Sequence, residues 1–286
     1  MNHPLTRHPQ ATLYAARRPR LLPRLMILVA AVLLLTAFSA AVSTKRAEAR
    51  TPKKPTIVLL HGAWAGPSGW DEVEAGLHKD GYATVTPTLG LASLDGDVAT
   101  VRAKLDEIPG KKILVGHSYG GAVISNAAYG RPDVLGLVYT AAFVPDEGES
   151  LLDLGEGYQP PAALPHLIFS GPPFASPSLI DSAYFREDFA QDLSPKPAAT
   201  LSAQQRPTDF SIFVTPSGPV AWHSLPSWYA VSGADRRIDP AMQRAMAQRI
   251  GATTAEFDDA SHAGGYTHYS TRFVRLIEQA ALVTVS

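Results

Sequence analysis

The chain has 286 residues, of which 45% are hydrophobic and 18% charged, and its formal net charge is −1. These values are ordinary for a globular protein with a sizeable core. A near-neutral chain offers no basic surface to hold nucleic acid, so we expect no nucleic-acid partner. Because the sequence contains no cysteine, disulfides, a thiolate nucleophile and cysteine-based metal sites are excluded.

The first fifty residues have the pattern of an export signal. Residues 1–24 contain five arginines and no acidic residue, and an apolar run follows from Leu25 to Val42. Small residues at 47 and 49 suit signal peptidase, so we predict a leader over 1–49 and a working domain over 50–286, secreted or periplasmic. The alternative is an uncleaved segment that anchors this domain to the outer side of a membrane, since the run approaches spanning length.

From residue 56 onward, short apolar runs alternate with segments of helical periodicity. The six predicted strands are Thr56–Leu60, Ala83–Thr86, Lys112–Gly116, Leu135–Phe143, Trp228–Val231 and Thr253–Phe257. The predicted helices that follow them are Trp70–Lys79, Asp97–Ile108, Tyr119–Tyr129, Pro240–Ile250 and Thr267–Ala281. Such alternation predicts an α/β fold, with a mostly parallel, doubly wound sheet covered by helices on both faces.

The segment between the fourth and fifth strands, about 144–226, is long and rich in proline. Helical signals are limited to Ser182–Asp192 and Lys196–Gln205. Because a structureless connection of this length is uncommon inside a compact domain, we predict a small helical cap inserted over the sheet. The cap contains many aromatic residues, most of which should pack the cap while some line a pocket.

The motif Gly116-His117-Ser118-Tyr119-Gly120 stands directly between the third strand and a helix. In this context a G-x-S-x-G run places the serine on a sharp, strained turn, and the flanking glycines remove side chains that would collide there. The helix that follows favours developing negative charge at its N-terminus. We therefore predict Ser118 as a nucleophile, and we interpret His117 as structural.

A serine hydroxyl needs a base held in place by a third group, and in such folds the chain order is serine, acid, histidine. His262 lies in a loop of small residues between the last strand and the last helix, where the base should lie. We predict it as the base and keep His268 as the alternative. His223, at the end of the cap, is expected to face solvent.

The acid should follow the fifth strand, and Asp235 lies in the turn there. Asp239 directly precedes a proline and is predicted to cap the next helix. The alternative acid is Asp146, just past the fourth strand, because that position can also face the histidine. Asp258 and Asp259 are too close to the histidine in sequence to orient it and are expected on the surface.

The oxyanion of an acyl-transfer intermediate needs two preset N–H donors. We predict the backbone amide of Tyr119, which follows the serine, and that of Ala63, in the loop after the first strand; the amide of Trp64 is the alternative to the second. His61 is interpreted as a residue that braces this loop. The candidate pocket residues are Trp64, Phe143, Tyr184 and Trp222.

Four motifs together resemble the α/β-hydrolase superfamily, and more narrowly its small-lid carboxylesterase branch of pyrethroid-hydrolase-like and methyl-ester-esterase-like proteins. They are Leu59-Leu60-His61-Gly62-Ala63-Trp64, Gly116-His117-Ser118-Tyr119-Gly120-Gly121, Gly233-Ala234-Asp235 and Ser261-His262. The resemblance covers about residues 55–284. It implies ester hydrolysis by a Ser–His–Asp triad without cofactor or metal, on a sheet that has eight strands in larger members. Related hydroxynitrile lyases carry a lysine where this chain has Ala263, which counts against that chemistry.

We therefore expect a serine hydrolase in which Ser118, His262 and Asp235 cleave a small or medium apolar carboxylic ester through an acyl-enzyme. A lactonase, thioesterase, perhydrolase or carbon–carbon bond hydrolase with the same triad remains an alternative, as does a non-catalytic ligand-binding receptor on this fold. The expected partner is a small-molecule ester, with membrane contact only through an uncleaved N-terminal segment. The pattern does not determine the oligomeric state.

Overall fold

In the computed structural model, which describes residues 53–285, the apolar runs form strands and the amphipathic segments form helices. The strands are β1 (Thr56–Leu60), β2 (Thr84–Val85), β3 (Lys112–His117), β4 (Val134–Thr140), β5 (Leu167–Phe169), β6 (Ser178–Ile180), β7 (Ser227–Ser232) and β8 (Thr253–Phe257). The α-helices are α1 (Asp71–Lys79), α2 (Leu94–Glu107), α3 (Tyr119–Ala127), α4 (Leu151–Leu154), α5 (Ser182–Phe189), α6 (Pro195–Ala203), α7 (Ser211–Val214), α8 (Pro240–Arg249) and α9 (Ser270–Val285). Short 3₁₀ helices occupy Pro67–Trp70 and Leu164–His166. The predicted leader lies outside the described residues.

Six strands form one sheet in the order β2-β1-β3-β4-β7-β8, with every neighbouring pair parallel. The chain first steps from β1 to β2 and then returns to the other side of β1, where β3 lies. Because crossovers are right-handed, this reversal of strand order puts the helices of the two halves of the sheet on opposite faces. In such sheets ligands bind at the point of reversal, beyond the carboxyl ends of the strands. In agreement, α1 packs with α9 while α2 packs with α3. The predicted fold class is confirmed.

The central strand β3 is buried along its whole length, as its continuous apolar sequence requires. It pairs in register with both neighbours, so that Leu59 lies beside Val115 and Gly116 beside Tyr139. Helix α3, which follows it, is also buried at every position. The segment that carries the serine is therefore the most enclosed part of the described structure.

Several predicted element ends are wrong. Helix α2 begins at Leu94 instead of Asp97, α5 ends at Phe189 instead of Asp192, and α9 ends at Val285 instead of Ala281. The fourth strand ends at Thr140 instead of Phe143, because Ala141 has a left-handed backbone with φ of 43° that breaks the extended conformation. The last helix begins at Ser270 instead of Thr267, since the preceding residues form successive turns around the glycines at 264 and 265.

The cap lies between β4 and β7, where it was predicted, but it is not purely helical. Besides α4–α7 it contains a two-stranded antiparallel sheet of β5 and β6, and a bridge from Ser178 to Thr208 extends it. The helical expectation missed this hairpin because each strand has only three residues, too few to show an alternating pattern. Among residues 53–285, no helix combines the length and apolarity needed to cross a bilayer.

Candidate active site

Ser118 lies between the end of β3 and the start of α3, in a backbone conformation of φ 54° and ψ −124°. A non-glycine residue adopts positive φ only when its surroundings enforce it. The neighbouring glycines make that turn feasible: a Cβ on Gly116 would lie 2.6 Å from the carbonyl oxygen of Gly120, and one on Gly120 would lie 2.6 Å from that of Leu60. The side chain of Ser118 is buried except at a cavity that it lines.

His262 and Asp235 form a buried pair beside this turn. The imidazole Nδ1 of His262 lies 2.8 Å from Oδ2 of Asp235, and both side chains are almost completely shielded from solvent. Asp235 belongs to the turn after β7, and His262 to the loop between β8 and α9. The parallel sheet thus brings together residues that are 27 positions apart. A histidine whose Nδ1 donates to a carboxylate keeps Nε2 as an acceptor, as a general base requires.

The carboxylate of Asp235 is held by three further donors. Its Oδ1 accepts hydrogen bonds from the amides of Arg237 (2.6 Å) and Ile238 (3.0 Å). Its Oδ2 accepts one from Nε2 of Gln243 at 2.8 Å. The carboxylate therefore cannot rotate without losing hydrogen bonds, which keeps Oδ2 on the histidine.

Gln243, which donates to Asp235, is a residue of this site that sequence reasoning missed. It is fully buried in α8, where Nε2 also donates to the carbonyl of Ile238 at 2.9 Å and Oε1 accepts from the amide of Ser232 at 3.0 Å. It therefore ties the turn that carries Asp235 to the end of β7. A glutamine at a helix position gives no signal in a single sequence, since most such residues face solvent.

His117 supports the loop that carries His262. Its Nε2 donates to the backbone carbonyl of His262 at 3.0 Å, and the two rings lie 4.6 Å apart between centroids. Burial lowers the pKa of His117 well below its usual value, so the ring is neutral. This contact agrees with the structural role predicted for His117.

The loop after β1 packs directly against the serine, since a Cβ on Gly62 would lie 2.6 Å from Cβ of Ser118. Within residues 53–285, the amide of Ala63 has no hydrogen-bond acceptor, whereas that of Trp64 donates to the hydroxyl of Thr208 at 2.8 Å. The alternative donor is therefore occupied. Tyr119 is the first residue of α3, so its amide has no acceptor inside the helix.

Two side chains brace these amides. Nδ1 of His61 donates to the carbonyl of Gly62, and its Nε2 accepts from the amide of Leu89, both at 3.0 Å. Burial lowers the pKa of His61 to about 4, so it is neutral near pH 7 and fits the bracing role. On the helix side, the hydroxyl of Tyr119 donates to Asp97 at 2.8 Å, and burial raises the pKa of Tyr119, which keeps this donor protonated.

The alternative residues lie elsewhere. Asp146 pairs with the exposed His223 at 2.9 Å, away from His262. His268 is exposed and contacts Tyr269 instead. Asp258 and Asp259 are exposed, as predicted. Asp239 caps α8 by accepting from the amide of Ala241 at 2.8 Å, which confirms the predicted cap.

A cavity of about 550 Å³ lies between the sheet and the cap, with Ser118 in its wall. The buried residues of its lining are Trp64, Ser118, Leu151, Arg237, Ile238 and Met242. The cap contributes mostly apolar residues, which are Leu151, Leu152, Tyr158, Pro160, Pro161, Leu164, Leu167, Phe174, Phe210 and Phe213. A pocket of this size and lining suits a small or medium apolar molecule.

Two of the four candidate pocket residues line this cavity, namely Trp64 and Phe143. The prediction is wrong for Tyr184 and Trp222. Tyr184 lies on the outside of the cap, 42% exposed, and stacks on His166 at 3.8 Å. Trp222 is buried at the base of the cap, where its indole N–H donates to the carbonyl of Pro145 at 3.0 Å. Aromatic composition alone does not tell which face of a cap segment turns inward.

In the part of the chain that the structure describes, no three histidine or acidic side chains are grouped as metal ligands would be.

Comparison with known proteins gives the wider context. The model of the alpha/beta hydrolase family matches residues 57–276. A carbendazim hydrolyzing esterase from Nocardioides sp. (strain SG-4G) is 39% identical over 118 residues, which are 37% of this chain and 49% of that protein. The chain thus aligns with about half the length of that relative. An alpha/beta hydrolase of Aspergillus novofumigatus (strain IBT 16806) is 28% identical over 218 residues, 68% of this chain and 84% of that one.

A solved structure shares the fold. The pyrethroid hydrolase from Sphingobium faniae JZ-2 superposes with a TM-score of 0.69 at 24% identity, covering 81% of this chain and 98% of that one. Together with the parallel six-stranded sheet and the turn at Ser118, the match over most of the described residues identifies the family. The chain belongs to the alpha/beta hydrolase family, among relatives that include named esterases.

Proposed function

We propose that this protein is a carboxylic ester hydrolase that uses Ser118 as nucleophile, His262 as general base and Asp235 as the residue that orients it. The observation that supports this most directly is the strained serine in the wall of an apolar cavity, next to a buried histidine–aspartate pair. The names of relatives, a carbendazim hydrolyzing esterase and a putative methylesterase of Arabidopsis thaliana, point the same way.

The reaction follows from these positions. Oγ of Ser118 attacks the ester carbonyl as Nε2 of His262 takes its proton, and the amides of Ala63 and Tyr119 donate to the oxyanion. Collapse of the tetrahedral intermediate breaks the ester bond, and His262 returns the proton to the departing alcohol. Water, deprotonated by His262, then cleaves the acyl-enzyme and frees the acid and the serine.

The lining of the cavity favours an ester whose acyl or alcohol part is small to medium and largely apolar. The phenyl rings of Phe174, Phe210 and Phe213 and the leucines of the cap offer surface that a hydrocarbon would bury. Lactones and thioesters present the same electrophilic carbonyl, so a screen across ester, lactone and thioester substrates decides among them.

Hydrolysis of p-nitrophenyl acetate and butyrate, together with labelling by a fluorophosphonate, tests the nucleophile. We expect wild type to turn over and label, and Ser118→Ala to do neither. Ser202→Ala is the matched control, because the hydroxyl of Ser202 has no hydrogen-bond partner in the described part of the chain and its loss should leave activity unchanged. Labelling that persists in Ser118→Ala would refute the assignment.

The acid is tested by a second pair of variants. Asp235→Asn should lower kcat by about 10³- to 10⁴-fold, since the amide favours the wrong histidine tautomer. Asp146→Asn should stay within about twofold of wild type, because the described partners of the Asp146 carboxylate are the exposed His223 and the amide of Glu147. The reverse ranking would assign the role to Asp146.

We also propose that the protein is exported, on the basis of the arginine-rich and apolar pattern of residues 1–49. Expression of the full chain, fractionation and N-terminal sequencing of the extracytoplasmic protein would test this. An N-terminus near residue 50 indicates cleavage, an intact chain in the membrane fraction indicates an anchor, and activity confined to the cytoplasm contradicts export.

A further inference from the structure

Arg237 is a buried arginine in the wall of the same cavity as Ser118. It lies in the turn between β7 and α8, two residues after Asp235, and its side chain is only 7% exposed. The guanidinium lies over the ring of Trp64, 4.5 Å from the ring centroid. Stacking on an aromatic face of this kind orients the planar group without using its N–H donors.

This guanidinium has no counter-ion within residues 53–284. Among the described residues, no carboxylate approaches it within ion-pair distance, and its buried Nη1 has no hydrogen-bond partner. Two acids, Asp235 and Asp188, act on Arg237 through their charge. Each of them is hydrogen-bonded to a histidine instead, Asp235 to His262 and Asp188 to His166 at 2.6 Å. Within the described part of the chain, the guanidinium of Arg237 therefore forms no hydrogen bond or ion pair, and Arg237 lines the cavity.

Proteins seldom bury an unpaired charge, because removal from water is costly unless a partner compensates. Burial lowers the pKa of Arg237 to about 10, which still leaves it protonated at neutral pH. A ligand that enters the cavity with a negative charge would supply the missing partner, and guanidinium donors match the geometry of a carboxylate.

The three acidic residues of the cavity lining, Asp153, Glu156 and Asp239, form no ion pair with Arg237 in the described part of the chain. Asp239 accepts from the amides of Gln159 and Ala241 at the start of α8. Asp153 is engaged with Ser150 in a capping box, and both Asp153 and Glu156 are exposed at the solvent side. Arg237 is thus the cationic residue in the described cavity lining, and it is buried.

We propose that Arg237 binds a carboxylate on the substrate, so that the preferred esters are half-esters of dicarboxylic acids. This rests on the proposed esterase function and names its substrate class. The apolar side chains of the cavity contact the hydrocarbon between the two carboxyl groups, the ester end meets Ser118, and the free carboxylate pairs with the guanidinium above Trp64. Arg237 determines specificity and takes no part in proton transfer.

The test compares monomethyl esters of the dicarboxylic acids from malonate to adipate with neutral methyl esters of equal shape, in which an isopropyl group replaces the carboxylate. Methanol release gives kcat and KM for each. At one or two chain lengths we expect kcat/KM of wild type to be at least tenfold higher for the half-ester. Arg237→Met should abolish that preference through KM, while the neutral esters change by less than threefold.

Two variants keep the result interpretable. Arg236→Met is the matched control, because the neighbouring arginine is 47% exposed and pairs with Glu187 on the surface; its selectivity should equal that of wild type. Arg237→Lys retains the positive charge and should keep part of the preference for half-esters, which a purely structural role would not produce.

The outcomes separate the two proposals. If wild type hydrolyses neither ester type, the esterase function itself is wrong. If wild type hydrolyses the neutral esters at least as well as the half-esters at every chain length, the esterase function stands and the role of Arg237 is refuted. An Arg237→Met variant that loses both activities equally, through kcat, also refutes it.

Discussion

Replacement of Gln243 by leucine tests whether the hydrogen bonds around Asp235 matter for both stability and activity. The substitution removes three hydrogen bonds, to Asp235, Ile238 and Ser232. The carbonyl of Ile238 and the amide of Ser232 then lose the side chain that they bind, and the carboxylate of Asp235 loses one of its donors. At about 1–3 kcal/mol for each unsatisfied group, the free energy of unfolding should fall by about 3–5 kcal/mol. For a domain of this size that corresponds to a fall in Tm of about 10 °C.

The effect on activity should be smaller than that of losing the acid itself. In the leucine variant Asp235 still accepts from His262 and from two backbone amides, so the pair persists but its orientation is less well defined. We expect kcat to fall about 10- to 100-fold with KM unchanged, which is the range for a small misplacement of catalytic groups.

Thermal unfolding and steady-state hydrolysis of p-nitrophenyl butyrate, measured well below the lowered Tm, provide both readouts. Gln248→Leu is the matched control, because this glutamine lies on the exposed side of the same helix, and both quantities should remain near wild type. A Gln243→Leu variant with wild-type kcat would refute the positioning role, even if its Tm falls. An unchanged Tm would contradict the energetic reasoning.

Three further predictions concern single residues. Gly62→Ala places a methyl group 2.6 Å from Cβ of Ser118, so we expect kcat to fall at least about 100-fold. A kcat within tenfold of wild type would show that the loop after β1 can shift without displacing Ser118. The pKa of His61 is about 4 in the folded protein and 6.5 in the unfolded chain. Between these pH values the unfolded state therefore binds more protons than the folded state. The free energy of unfolding should consequently fall by about 2 kcal/mol between pH 7 and 5 because of this residue. Urea unfolding at the two pH values checks this, and His61→Asn should show a flatter pH dependence. Finally, the lowered pKa of Arg237 corresponds to a cost of about 3 kcal/mol, partly offset by about 1–2 kcal/mol from its contact with Trp64. Arg237→Met should therefore raise Tm by a few degrees, and a lower Tm would indicate that the arginine is held for stability.

Much of the fold was predictable because parallel strands in the centre of such a sheet are buried on both faces and appear as continuous apolar runs. Five of the six sheet strands agree with their predicted positions within two residues at either end, and the fourth was extended too far. Likewise, Ser118, Asp235 and His262 stand at strand ends, where a chain-order argument can locate them. The predicted contact of His262 with Asp235 is present at 2.8 Å.

Local periodicity and short motifs were therefore sufficient to predict the α/β architecture, the position of the cap and the serine between strand and helix. Three further features became visible only in the folded chain: which cap residues face the cavity, that Gln243 holds Asp235, and that Arg237, in the lining of the same cavity as Ser118, has no ion-pair partner among the described residues. These depend on contacts between distant segments, and burial or pairing of a side chain is a property of the packed molecule. The serine motif predicts a reaction type, whereas the proposed substrate preference depends on the walls of the cavity that Ser118 lines.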